Sequence, residues 1–246
     1  MVKHVVALVW CMAFWGGFVT GESAFAKTFK DGDWNTSMRV GCTTSGSMKQ
    51  MSENGNKFVR VTHGNKIGGC ASDRKNNMQR SEMQSSAKMK PGHTWEYSAN
   101  VRFMTELQGE AYFMQIHAKP GKGQYCHKEN GIKTTPPVKL MLKNNTADMM
   151  IFGGGQPHNR VGPGWGDTYK LFEIGKWTQV KIIMDLDVQQ TNVDVYVGGK
   201  KVIDGYKIAT QNSCIKPWGK MGIYRSAQFT SPVVVDYDKV VIRKLQ

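Results

Sequence analysis

The 246-residue chain contains little that would build helices. No long stretch repeats its apolar residues at a period of 3.6, and Ala and Leu are few. That argues against a helical bundle and against helices interleaved with parallel strands. There is no CxxC pair, so a zinc ribbon or dithiol redox site has no ligands to start from. Beyond residue 26 no apolar run is long enough to cross a bilayer. Acidic side chains are also scarce: 19 Asp and Glu stand against 33 Lys and Arg, for a formal net charge of +14. Such a surplus suggests an acidic partner: nucleic acid, anionic lipid or acidic polysaccharide. No recognised nucleic-acid-binding motif accompanies the charge, so nucleic acid is not an expected partner. No repeat or linker divides the chain.

What is present begins with a targeting segment. Lys3 and His4 precede an apolar run from Val5 to Val19, and Ala24-Phe25-Ala26 has the small-x-small pattern of a signal peptidase site. Residues 1–26 are read as a signal peptide and 27–246 as one exported domain, secreted or periplasmic, with no membrane attachment after cleavage. Cleavage removes Lys3 and Glu22 together, so the charge is unchanged. Cys11 is lost with them. Four cysteines remain, Cys42, Cys70, Cys126 and Cys214, an even number that favours disulfides in an exported protein. Of the three pairings, Cys42 with Cys70 and Cys126 with Cys214 is preferred, because the first closes a local loop.

Strand patterns are frequent. They cover Phe58–Thr62, Thr94–Phe103, Glu110–Ala118, Val138–Lys143, Asp148–Phe152, Trp177–Leu186, Asn192–Val197, Lys201–Asp204, Lys220–Tyr224 and Val233–Arg243, separated by Gly, Asn, Pro and Lys. Gly198-Gly199 reads as a tight hairpin turn. Many strands with polar turns predict an all-β, two-sheet antiparallel sandwich of jelly-roll type. Residues 27–56 are polar and weakly patterned and are expected to wrap its edge. Two long loops, Lys119–Pro137 and Gly153–Gly166, the second with His158, Arg160 and Trp165, are candidates for a rim over a groove.

Three segments carry the chemistry: Gln79-Arg80-Ser81-Glu82-Met83, Met114-Gln115-Ile116-His117 and Lys220-Met221-Gly222-Ile223-Tyr224-Arg225. Alternate residues of a strand share a face. Arg80 and Glu82 therefore share one, opposite Ser81 and Met83. Gln115 and His117 share another, with Tyr112, Met114 and Ile116 turned to the core. Lys220 and Tyr224 share a third, with Gly222 between them and Met221 and Ile223 inward. If these strands are neighbours, one sheet face presents Arg, Gln, His, Lys and Tyr, a surface suited to an anionic substrate.

In order and spread, these segments resemble those of the jelly-roll polysaccharide lyases, the alginate-lyase type and the related glucuronan and heparin-lyase-like proteins. Those families carry an Arg-x-Glu segment, a Gln-Ile-His or Gln-x-His segment and a Lys-x-Gly-x-Tyr segment, here Arg80-Ser81-Glu82, Gln115-Ile116-His117 and Lys220-Met221-Gly222-Ile223-Tyr224. Two positions depart: Trp218-Gly219 stands where alginate lyases usually have Tyr-Phe, and Gln84 where an Arg often follows.

The resemblance implies a concanavalin-like sandwich with an open groove on its concave sheet. It implies a lyase that cleaves an acidic, uronate-containing polysaccharide, alginate or glucuronan, by β-elimination. Arg80, Gln115, His117 and Tyr224 would be catalytic, and Glu82, Lys220 and Arg225 would line the substrate. Abstracting the C-5 proton puts a second negative charge on the carboxyl group, so donors must hold it more strongly in the transition state. Arg80, Gln115 and His117 supply such donors. Tyr224 serves as base, acid or both, and needs nearby positive charge to lower a pKa of about 10. His117, which ordinarily titrates near neutrality, is the competing base.

A non-catalytic module binding acidic polysaccharide on the same fold is the alternative. A glycoside hydrolase of the laminarinase kind lacks its paired-carboxylate strand here. Some relatives hold a structural calcium. Asp236 and Asp238 alternate on the last strand but fall short of about six oxygen ligands, so neither metal nor cofactor is assigned. A monomer is expected.

Overall fold

Alternation builds most of the chain. The segment Thr178–Leu186 turns Val180, Ile182, Met184 and Leu186 inward, and Gln190–Val197 does the same with Thr191, Val193, Val195 and Val197. A segment with one oily side must bury it against a second layer. The structure, a computed structural model, describes residues 28–30, 34–41, 47–64, 70–118, 128–129, 132–133, 138–143, 172–187, 190–209 and 217–246. Its strands form two antiparallel sheets packed as a sandwich.

The front sheet runs, edge to edge, through β1 (Thr28–Phe29), β2 (Met38–Val40), β5 (Met78–Ser85), β14 (Trp218–Ser226), β7 (Glu110–His117) and β10 (Val138–Lys143). The back sheet runs through β13 (Lys200–Ala209), β12 (Gln190–Val197), β11 (Thr178–Leu186), β6 (His93–Phe103), β15 (Val233–Lys244), β4 (Asn56–His63) and β3 (Met48–Glu53). A small pair, β8 (Lys128–Glu129) with β9 (Ile132–Lys133), and a short helix, α1 (Ala71–Lys75), complete the described elements. The polar stretch 27–56 supplies edge strands to both sheets: β1 and β2 in front, β3 behind. The expected signal segment, the strand at 148–152, the loop at 153–166 and most of the loop at 119–137 lie outside the described residues.

One core joins the layers. Met38, Met83, Phe113, Met114, Ile116, Met221 and Ile223 of the front sheet meet Val61, Tyr97, Val101, Ile182, Val235 and Tyr237 of the back. Two buried tyrosines of the back sheet reach backbone atoms of the front strands. Tyr97 donates to the Lys220 carbonyl at 2.9 Å. The Tyr237 hydroxyl lies 2.9 Å from the Phe113 carbonyl and 3.1 Å from that of Gly222, and accepts from the Gly222 N–H at 3.1 Å.

Those backbone groups sit where the ladder slips. Against β10, Leu140 pairs Met114 but Met141 pairs Tyr112, leaving Phe113 as an extra residue. Against β7, Met221 pairs Met114 but Tyr224 pairs Tyr112, so Gly222 and Ile223 both stand opposite Phe113. A bulge of this kind disrupts local pairing, and the Tyr237 hydroxyl takes up the stranded groups. The bulge also breaks alternation: Phe113 and Met114 are both in the core. Tyr112, expected inward, is turned to the outer face, where it stacks on Tyr224 at 6.1 Å.

Candidate active site

Register lines up the outer face of the front sheet. One row crosses five strands as Arg39, Gln84, Lys220, Gln115 and Lys139. A second runs Arg80, Tyr224, Tyr112. Between them Glu82 stands opposite Gly222, and on the far side of the first row His117 pairs with Trp218. Gly222 is required for this. Its φ is +128°, and a Cβ there would lie 2.1 Å from the Ser81 carbonyl oxygen and 2.7 Å from the Glu82 Cα. Only glycine lets β14 and β5 approach so closely in that conformation.

Glu82 is the hub. It is 1% exposed and accepts from the Arg80 Nη1 at 3.1 Å, from the Lys220 ammonium and from the Gln115 amide. Arg80 is also held by Asp73 of α1, through Nε at 3.0 Å and Nη2 at 2.7 Å. Asp73 is fully buried. A buried carboxylate is stable only with such partners, so Glu82 positions donors from three strands, a role different from the substrate contact expected of it. Arg225 departs further from expectation. It is 1% exposed and turned away from Tyr224, bonding Gln79 at 2.9 Å and the Ser231 carbonyl at 2.6 Å. Gln79 in turn accepts from His63 at 3.0 Å, and His63 bonds Ser81 at 2.7 Å. Arg225 thus belongs to an interior polar network.

The protonation states also differ from expectation. Burial, and then the cations Lys220, Arg80, Lys139 and Lys88, push the His117 pKa down to about 3. The imidazole is therefore neutral at working pH. Its ring lies 4.8 Å from that of Trp218, and its buried Nδ1 has no hydrogen-bond partner among the described residues. The Tyr224 pKa is raised, not lowered. Burial dominates; the Arg80 guanidinium, 4.3 Å from the ring centre, opposes it, and Asp73 and Glu82 reinforce it. Tyr112 is pushed up to about 12 by burial, Glu110 and Tyr224. Lys139 falls to about 8 through burial, with Glu82 opposing and Lys220 reinforcing.

The structure thus brings together Arg80, Glu82, Gln115, His117, Lys220 and Tyr224, and leaves Arg225 out. It adds Asp73 and Lys139, to which sequence reasoning gave no role, and Tyr112 and Trp218, which it named only as a core residue and as a departure from the family pattern. Among the described residues no group of three or more His, Cys, Asp or Glu is arranged to hold a metal. Asp236 is instead held by Arg60 at 2.7 Å and Arg102 at 2.9 Å, and Asp238 accepts from Asn56 at 3.2 Å.

The model of the polysaccharide lyase family matches residues 25–241. A comparison with curated protein sequences finds no significant match. Among solved structures, an alginate lyase of Pseudomonas aeruginosa superposes with a TM-score of 0.53 at 14% identity, covering 82% of this chain and 87% of the other. The marine alginate lyase AlyA1 of Zobellia galactanivorans gives 0.52 at 14%, covering 90% and 85%. The family 7 alginate lyase A1-II', solved with the substrate GGMG, gives 0.53 at 14%, covering 82% of each chain. At these identities the likeness establishes the jelly-roll fold.

Proposed function

The chain belongs to the polysaccharide lyase family, and on that premise we propose that it cleaves an acidic, uronate-containing polymer, alginate or glucuronan, by β-elimination. The observation that carries this reading is a neutral imidazole and a protonated phenol on one cation-rich sheet face. In the reaction the C-5 proton passes to a base. Its electron pair forms the C4–C5 double bond, the C4–O bond breaks, and the departing oxygen takes a proton. His117, neutral at rest, is the acceptor, and Tyr224, protonated at rest, is the donor. A carboxylate bound among Lys220, Arg80 and Lys139 offsets the cations that hold His117 low, so substrate binding itself makes the imidazole more basic. Arg80 and Gln115 stabilise the charge that develops on the carboxyl group. The alginate lyases among the fold neighbours favour alginate as the polymer.

The test is incubation with mannuronate and guluronate blocks, glucuronan, hyaluronan and heparin, reading the ultraviolet absorbance of an unsaturated uronate end. Tyr224→Phe should lose nearly all turnover while keeping its melting temperature and its affinity for the polymer. Near wild-type rates in that variant would remove Tyr224 from proton transfer. The proposal extends to an exported monomer cut after Ala26. Cys70 is disulfide-bonded, and Cys42, Cys126 and Cys214 lie outside the described residues. The proposed pairing is Cys42–Cys70 with Cys126–Cys214. N-terminal sequencing and a non-reduced peptide map of the exported protein check both; any other bonded pair refutes the assignment.

A further inference from the structure

Asp73 reaches the site on an element that has little to hold it. α1 is five residues long, and of Ala71–Lys75 only Asp73 is buried. A helix this short has no stability of its own, and it sends no apolar side chain into the core. Its N-cap, Cys70, makes no side-chain capping bond. The turn closes on the Cys70 carbonyl, which accepts from the Asp73 N–H at 3.1 Å and from the Arg74 N–H at 3.2 Å. That same Cys70 is disulfide-bonded. The helix is therefore fixed covalently at both ends, by the disulfide where it begins and by the chain entering β5 where it stops.

What α1 delivers is a grip on one guanidinium. Asp73 takes the Nε–Nη2 edge of Arg80, at 3.0 and 2.7 Å, while Glu82 takes Nη1 at 3.1 Å. Glu82 alone would leave the planar group free to turn about a single contact; the two-point hold from Asp73 stops that rotation. The guanidinium carbon then stands 4.3 Å from the centre of the Tyr224 ring. The N–H groups that the two carboxylates leave over are the ones a substrate carboxylate can use.

We propose that Asp73 is a positioning residue for the elimination, that it acts by aiming Arg80, and that the Cys70 disulfide holds it to that task, so that the oxidised protein is the active form. The proposal rests on the lyase reading of the same face, in which Arg80 stabilises the charge on the reacting carboxyl group. A dithiol reductant would release the hold. It passes two hydrogen atoms to the two sulfurs and closes to its own disulfide, leaving two thiols and an α1 tethered by its chain alone.

The experiment measures initial rates on the preferred polyuronate, at a temperature well below each protein's Tm, for wild type, Asp73→Asn, Arg80→Ala, the double variant and Cys70→Ser. Misplacing a catalytic group costs on the order of a hundredfold in rate. Asp73→Asn should lower kcat by about ten- to a hundredfold with KM little changed. In the Arg80→Ala background the same substitution should cost nothing further, because residues that act through one another are not additive. Dithiol treatment of wild type should lower kcat in the same way, and should have no further effect on Cys70→Ser. The Arg80 Nε–H signal in nuclear magnetic resonance, identified by its loss in Arg80→Ala, reads the hold without turnover: it should exchange slowly in the oxidised protein and rapidly in Asp73→Asn and after reduction. If wild type releases no unsaturated product from any polyuronate, the lyase reading fails, and that signal still decides whether α1 holds Arg80. If Asp73→Asn does not fold, reduced wild type and Cys70→Ser carry the test. Additive losses in the double variant, a change confined to KM, or a reduced protein with unchanged kcat and an unchanged Nε–H signal overturns the proposal.

Discussion

Removing one oxygen from the middle of the protein should damage both its stability and its chemistry. Tyr237 is fully buried on β15, and its hydroxyl serves the Gly222 N–H, the Gly222 carbonyl and the Phe113 carbonyl. Tyr237→Phe keeps the ring packing and deletes only that oxygen. A hydroxyl has one proton to give, so at least one N–H and one carbonyl lose their partner in a place water does not reach. Each unsatisfied buried group costs about 1–3 kcal/mol, for a total of roughly 2–6 kcal/mol. In a domain of this size 1 kcal/mol lowers Tm by about 2–4 °C, so the expected drop is about 4–24 °C. The orphaned N–H belongs to Gly222, the residue between Lys220 and Tyr224, so kcat should fall as well, although Tyr237 lies in the core and reaches only the inner side of the front sheet. Thermal unfolding by circular dichroism and initial rates on the preferred polymer provide the readouts. A Tm within about 1 °C of wild type, with unchanged kcat, would refute the idea that this hydroxyl supports the slipped ladder.

Gly222→Ala should be harsher than most surface substitutions, because its Cβ would meet the Ser81 carbonyl at 2.1 Å in a conformation L side chains rarely adopt. Overpacking alone costs about 1–3 kcal/mol, so poor expression or a Tm drop beyond about 5 °C is expected, and a protein as stable and active as wild type would contradict the close approach. His63 makes stability depend on acid. Burial, then Arg225, lowers its pKa from 6.5 to about 4. The unfolded chain therefore takes up the proton first: stability is full above pH 6.5 and is lost as pH falls toward 4, by on the order of 3 kcal/mol. His117 adds to the loss in an overlapping window, so the check is the difference in Tm between wild type and His63→Gln from pH 7 to 4. Parallel curves would show that His63 does not titrate in this way.

The parity rule for strands carried most of the site. Arg80 with Glu82, Gln115 with His117, and Lys220 with Tyr224 share an outer face because each pair is separated by an even number of positions on its own strand. The same rule places Arg225, one step from Tyr224, on the inner side, so its interior position was legible in the sequence. Tyr112 was not, because the extra residue at Phe113 shifts the phase and no local composition marks it. Asp73 sits in a helix of five residues too short to show a period, and its tie to Arg80 is a tertiary contact. Lys139 lies on a strand the sequence did predict. Its place beside Gln115 comes from the order of strands in the sheet, which local pattern does not encode.

The slipped register also sets the shape of the face. The same two rows are joined by two residue steps on β10, Lys139 to Met141, by three on β7, Gln115 to Tyr112, and by four on both β14 and β5. At about 3.3 Å per step the contour between the rows grows from about 7 Å to 10 Å and then 13 Å. Strips of unequal length sewn between common seams cannot lie flat; they must splay or buckle. The extra residues bend and twist β7 and β14 locally, so the face differs between its β10 side and its β5 side. A sugar chain, which also has two unlike ends, meets a different surface when it is turned around.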